Sequence, residues 1–155
     1  MTTKTQLQNK IQELEAELQE AKSQLSSYEE VTIETASVGE VLEDGSIVLQ
    51  KSKGLALLVA PKSTEVNCPW SKNFPEAFEK LEEQGFNPSQ WFVPTKEQLH
   101  LAYQNIRNRF STALYWSSTE FNATFACSQY FNGGGITTLS KTTSRRVRAF
   151  RCVTY

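Results

Sequence analysis

Leu7, Ile11, Leu14, Leu18, Ala21, Leu25 and Tyr28 follow one another in alternating steps of four and three residues. That spacing is the seam of a heptad repeat, with Leu7 at d and Ile11 at a. The other positions hold Gln, Glu, Lys, Asn and Ser, so the apolar stripe is narrow and needs another helix like itself rather than a broad core. Position g holds Lys10 and Glu17, and the following e positions hold Glu15 and Lys22. A parallel, in-register assembly therefore joins opposite charges at both pairs. Leu18 and Leu25 at a, with no buried Asn to set a register, argue against a strict dimer, and a parallel homotrimer is expected. Three heptads span roughly 33 Å and are marginal alone. The alternatives are a solitary solvated helix or a helix folded back on the rest of the chain.

The rest of the 155 residues suffices for one domain, giving residues 1–30 as an oligomerisation or anchor helix and 31–155 as a head. "VTIETASV" at 31–38 alternates like an edge strand, and Asp44-Gly45 within "EVLEDGSIVLQ" is a hairpin signal between two apolar arms. "GLALLVA" reads as a buried strand. Phe74, Phe78 and Leu81 mark a helix entered through Pro75 and stopped at Gly85. Leu99, Tyr103, Ile106 and Phe110 mark a second, opened by a capping box from Thr95 to Gln98. Strands resume after residue 112 and end in "RRVRAFRCVTY", where Val147, Ala149 and Val153 recur at period two as in one closing strand. Two helices between sets of strands predict an α+β domain.

Charge is uneven. Residues 1–30 carry three Lys against six Glu, and residues 101–155 carry Lys141 and six Arg against Glu120 alone. Among these arginines, Arg148 and Arg151 lie within the closing strand, where an arginine pairs with a carboxylate or carbonyl. Lys141, Arg145 and Arg146 lie nearer a polar turn, where they favour anionic glycans or a negative partner surface over nucleic acid. The N-terminal "MTTKTQLQNK" has no apolar core of a signal peptide, and "LALLVA" falls far short of the roughly 20 residues of a membrane helix. The expectation is a product made in the cytoplasm, without membrane insertion.

Catalytic and metal chemistry find little material. Cys68, Cys127 and Cys152 are widely spaced, with no C-x-x-C pair, and His100 is the one histidine, so no zinc or other metal site and no cofactor is expected. The thiols are expected to be free, with Cys152 and Cys127 buried in the closing strands. His100, between Leu99 and Leu101, is expected at the surface or half-buried. Gly133 to Gly135 lack the Lys-Ser/Thr of a phosphate loop and read as a hairpin turn. Glu82-Glu83 and Glu29-Glu30 read as solvated faces. The sequon at Asn122 matters only in a eukaryotic secretory pathway.

"WFVPTKEQLHLAY", "YWSSTE", "YFNGG" and "RRVRAFR" occur in an order that resembles the Lcl-type C-terminal domain family over roughly residues 36–153. That family is met in bacterial surface proteins, prophages and phages. The resemblance implies a C-type-lectin-like fold, shared with formylglycine-generating enzymes and with diversified phage receptor-binding proteins. It implies that Trp91, Pro94 and Thr95, the run from Tyr115 to Glu120, and Arg146, Val147, Arg148 and Arg151 determine the fold. Phe92 stands where the motif has arginine. The calcium-binding triplets of sugar-binding lectins are missing, and no close cysteine pair supports formylglycine-generating activity.

Between "YWSSTE" and "RVRAFR" such a fold places exposed hairpins, rich in Asn, Thr, Ser, Gln, Tyr and Gly as adaptable binding surfaces are. Phe121, Asn122, Thr124, Gln129, Tyr130 and Asn132 are the expected ligand contacts, with Lys141, Arg145 and Arg146 as a cationic rim. The bland alternative is solvated loops. Stalk, head and absent catalytic constellation together point to a non-enzymatic virion surface protein of a tailed phage. It would be a fibre, head-fibre or decoration protein, made in the host cytoplasm, anchored to other virion proteins by its helix and binding a host-surface glycan or protein. The alternatives are a structural capsid or tail connector and a small formylglycine-generating-like enzyme.

Overall fold

The computed structural model describes residues 2–27 and 32–155. The chain divides into two compact units, Met1–Glu30 and Val31–Tyr155. Tyr28 of the heptad seam, the pair Glu29-Glu30 and Val31 lie outside the described residues.

The first unit is one helix, α1 (Lys4–Ser27). Good helix formers fill it, and Thr3 caps it reciprocally: Gln6 N–H donates to Thr3 Oγ1 at 3.2 Å and Thr3 N–H to Gln6 Oε1 at 2.8 Å. Leu7, Ile11, Leu14 and Leu18 are each about half exposed along one stripe. Lys10 and Glu13 form an i,i+3 pair at 3.5 Å.

The second unit is α+β, with two sheets. Strands β1 (Ile47–Ser52), β2 (Leu55–Val59), β3 (Val66–Cys68), β4 (Leu114–Glu120), β5 (Phe125–Tyr130), β6 (Ile136–Ser140), β7 (Arg145–Val147) and β8 (Phe150–Thr154) alternate with helices α2 (Pro75–Glu83) and α3 (Lys96–Ile106). Three strands form one sheet in the order β1-β2-β8, and five form the other in the order β3-β7-β4-β5-β6. Within β4, Tyr115 and Trp116 point to opposite faces and both are fully buried, so the larger sheet is covered on both sides. Tyr115 joins Leu99, Ile106, Phe110, Phe131 and Phe150 in one core cluster, under α3. Trp116 joins Phe74, Ala77, Val93 and Val147 in another, under α2.

Both expected helices form. Pro75 starts α2, and Gly85 ends it at φ +88°, a conformation that glycine adopts without strain. Thr95 and Gln98 form the capping box of α3, with backbone-to-side-chain bonds of 2.9 and 3.2 Å. Four expectations need correction. Residues 32–38 form no strand: the Thr35 hydroxyl accepts from Thr32 N–H at 3.2 Å and donates to Thr32 O at 3.3 Å, and Ala36 N–H closes a turn onto Thr32 O at 2.8 Å. Asp44-Gly45 does turn the chain, with Asp44 Oδ1 accepting from Ser46 N–H at 2.9 Å, but only the single bridge Val41↔Ile47 flanks it. The full hairpin is β1–β2, closed by Lys53 and Gly54, both at positive φ as a two-residue primed turn requires.

"RRVRAFRCVTY" is not one strand but two, in different sheets. The break is Arg148, whose side chain turns inward and bonds Ala60 O and Arg109 O, each at 2.6 Å. The cysteines are free, and Cys68 and Cys127 are buried, but Cys152 is exposed, contrary to expectation. It shares a face of β8 with Phe150, yet at its position that face opens into a shallow groove beside Leu57 and Gln98.

Candidate functional site

The turn joining β4 to β5 is built by Asn122. Its Oδ1 accepts from Thr124 N–H at 2.9 Å and Phe125 N–H at 2.8 Å, an Asx turn that fixes the loop. Asn122 thus spends its acceptor on the fold, while Phe121, 63% exposed, is the side chain the turn presents. Thr124 is exposed beside it, and its carbonyl accepts from Lys141 N–H at 3.0 Å. Lys141, expected on a cationic rim, is instead a tie. Its ammonium bonds Glu120 Oε1 and Ala123 O and lies 4.6 Å from the Trp70 ring centre, leaving its side chain 16% exposed. The bond from Lys141 holds the Glu120 carboxyl below its ordinary pKa.

Gln129 is likewise removed from the displayed set, being fully buried. Its Oε1 lies 3.2 Å from His100 Nδ1 and its amide donates to Tyr130 O at 3.1 Å, so it joins β5 to α3. His100 is half-buried, as expected. Tyr130 and Asn132 remain exposed at the turn between β5 and β6. There Gly134 has φ +83°, and a Cβ on it would meet the Tyr103 ring at 2.4 Å, so the triple glycine lets a hairpin lie flat on α3. This turn and the Phe121 turn lie at opposite ends of β5, about 17 Å apart at 3.3 Å per residue. A single small ligand therefore reaches one or the other.

Arg145 and Arg146 lie on β7, away from the Phe121 turn: Arg146 pairs in register with Tyr115, near the start of β4. With Glu65, Asn67 and Ser144 they line a cleft of about 320 Å³. Beneath it Glu65, 6% exposed, accepts from Tyr115 Oη at 2.5 Å, Arg146 at 3.1 Å and Arg148 at 3.4 Å. Glu65 offsets one cation and three arginines surround this region, so the cleft has a cationic surplus suited to a carboxylate, sulfate or phosphate group.

Burial and the bond to Glu65 push the Tyr115 phenol up to about 12. The neutral phenol is the form the fold favours. Its contribution to stability is thus complete below the ordinary value near 10 and is lost as pH rises toward about 12. Spectrophotometric titration should find one tyrosine ionising near 12 that disappears in Tyr115→Phe.

Burial and the Glu76 carboxylate push the Cys68 thiol up to about 11, which makes it a poor nucleophile at neutral pH. Among the described residues no three His, Cys, Asp or Glu side chains gather as metal ligands, and no helix is long and apolar enough to cross a membrane. No protein-family model matches the chain, and no curated protein matches it.

Proposed function

We propose that the chain is a non-enzymatic surface protein of a tailed-phage virion, a fibre, head-fibre or decoration protein. In this reading an Lcl-type head of C-type-lectin-like fold is displayed for binding to a host-surface glycan or protein. Residues 4–28 form a parallel trimeric coiled coil that also anchors the protein to other virion components. The carrying observation is Phe121: a large aromatic ring held exposed on a turn whose every neighbouring bond is internal, which is how rigid scaffolds present contact residues. The return of β8 to the first hairpin, with two helices and a second sheet between, supports the lectin-like fold. The charge-matched g and e positions and the exposed Leu7, Ile11, Leu14 and Leu18 support the coiled coil. Free thiols suit assembly in a reducing cytoplasm.

One observation favours the connector alternative. Strand β6 ends its sheet with the sequence ITTLS, free of the charge and proline that usually block edge pairing. Binding of the labelled full-length protein to host cells separates the two. Phe121→Ala, or Tyr130→Ala with Asn132→Ala, should reduce attachment at least tenfold while the melting temperature stays nearly unchanged, as surface changes usually allow. Unchanged attachment by both variants would overturn the display reading. Loss of virion incorporation on placing Lys at Thr138 would then favour the connector.

A further inference from the structure

The turn between β5 and β6 carries Asn132-Gly133, the one asparagine in the chain that is followed by glycine. Both residues are exposed, and the backbone is tied on either side of them: Phe131 N–H donates to Ala113 O and Gly134 N–H to Tyr130 O, each at 3.0 Å. Between those ties, Gly133 N–H has no acceptor among the described residues. A Cβ built on Gly133 would meet no atom within 4 Å, so nothing crowds the glycine. The Asn132 side chain has one bond among the described residues, from Nδ2 to Tyr130 Oη at 3.5 Å, the far limit of such a contact. Its Cγ is therefore free to turn toward the next nitrogen of the chain.

Two other turns of the head show what this one lacks. Asp44 also precedes a glycine, but Gly45 N–H donates to Leu42 O at 2.9 Å, and Asp44 Oδ1 accepts from Ser46 N–H at 2.9 Å. Asn122 lies on a comparable loop, but its Oδ1 holds two backbone N–H groups and the methyl-bearing Ala123 follows it. In the first turn the nucleophile is occupied, and in the second the electrophile is pinned. At Asn132 neither is.

We propose that Asn132-Gly133 is a self-modifying site, at which the Asn132 amide is lost through a succinimide ring. Gly133 N attacks Asn132 Cγ and gives up its proton, and Nδ2 leaves as ammonia. Water then opens the ring. Cleavage of the new N–Cγ bond yields aspartate, whereas cleavage between that nitrogen and the Asn132 backbone carbonyl carbon yields isoaspartate, whose main chain runs through Cγ. One water enters and one ammonia leaves, so no oxidant, reductant or enzyme is required. The reaction quickens with pH, because the attacking amide nitrogen must lose its proton. Glycine favours it, since no side chain stands beside that nitrogen. Either product replaces an amide that donates and accepts with a carboxylate that only accepts. On a turn proposed to meet host ligands, a converted head presents a different surface from the one translated. That consequence alone rests on the display reading.

Ageing of the purified full-length protein, followed by peptic digestion in acid and peptide mass spectrometry, tests the chemistry without cells and so apart from the attachment experiment. Asn132 should convert at least tenfold faster than any other asparagine, and faster in mildly alkaline than in mildly acidic buffer. Aspartate and isoaspartate should appear as separately eluting peptides of equal mass. Asp44→Asn creates a second Asn-Gly pair, one whose glycine nitrogen is already bonded. Conversion at position 44 should be at least tenfold slower than at Asn132 in the folded protein and similar to it in urea. An intact amide at Asn132, a rate no higher than at the other asparagines, or equally fast conversion of both Asn-Gly pairs in the folded protein would overturn the inference.

Discussion

Replacing Glu65 with alanine is expected to lower the unfolding free energy by about 3–5 kcal/mol, the usual consequence of leaving a buried charge without its partner. Arg148 has a fully buried side chain, and Glu65 is the carboxylate that meets it. Burial pulls the Arg148 pKa down while Glu65 pulls it back up. The same substitution strands the Tyr115 phenol, whose hydroxyl donates to Glu65 and accepts from Ser111 N–H at 3.1 Å. Urea unfolding at neutral pH, followed by tryptophan fluorescence, measures the loss. Glu65→Ala combined with Arg148→Met should recover much of it, because an apolar replacement removes the stranded charge. A loss below about 1 kcal/mol would mean that the backbone carbonyls of Ala60 and Arg109 suffice to hold Arg148.

Leu14→Asp should dissociate the proposed trimer altogether, since it places three carboxylates in the middle of the apolar seam. Light scattering should then fall from the mass of three chains to that of one, 17.5 kDa. Near-ultraviolet dichroism of the head should be unchanged, because the seam belongs to a separate compact unit. A monomeric wild type at micromolar concentration would overturn the coiled coil, and a dimeric one would overturn only the count of strands.

What the sequence announces is what local chemistry decides. The capping box of Thr95 and Gln98, the Pro75 start and Gly85 stop of α2, and the turn at the triple glycine are each settled within a few residues. The misreadings fall where a residue's setting comes from far along the chain. Arg148 breaks the closing strand because Ala60, Glu65 and Arg109 await it, and none of them is near it in sequence. Gln129 looks like a displayed amide until His100 is brought beside it. Cys152 keeps the parity of a buried position, but nothing covers the groove there closely enough to bury it. At the proposed display site, composition pointed to the turns but not to the work each side chain does. Asn122 and Lys141 carry the chemistry of binding residues and spend it on holding the loop.

The pairing of β8 with β2, from Leu55↔Thr154 to Val59↔Phe150, sets a timetable for synthesis. At elongation rates of about 5–20 residues per second, β2 waits on the order of 5–20 seconds for its partner strand to be made. Helix α1, whose bonds are all local, needs no such delay and forms within microseconds of becoming available. Under the proposed assembly, neighbouring nascent chains can zip together while their heads are still open. A message cut short before codon 150 would then yield a polypeptide that still enters the trimer but never completes its sheet. Such fragments would act as dominant poisons of assembly rather than as silent losses.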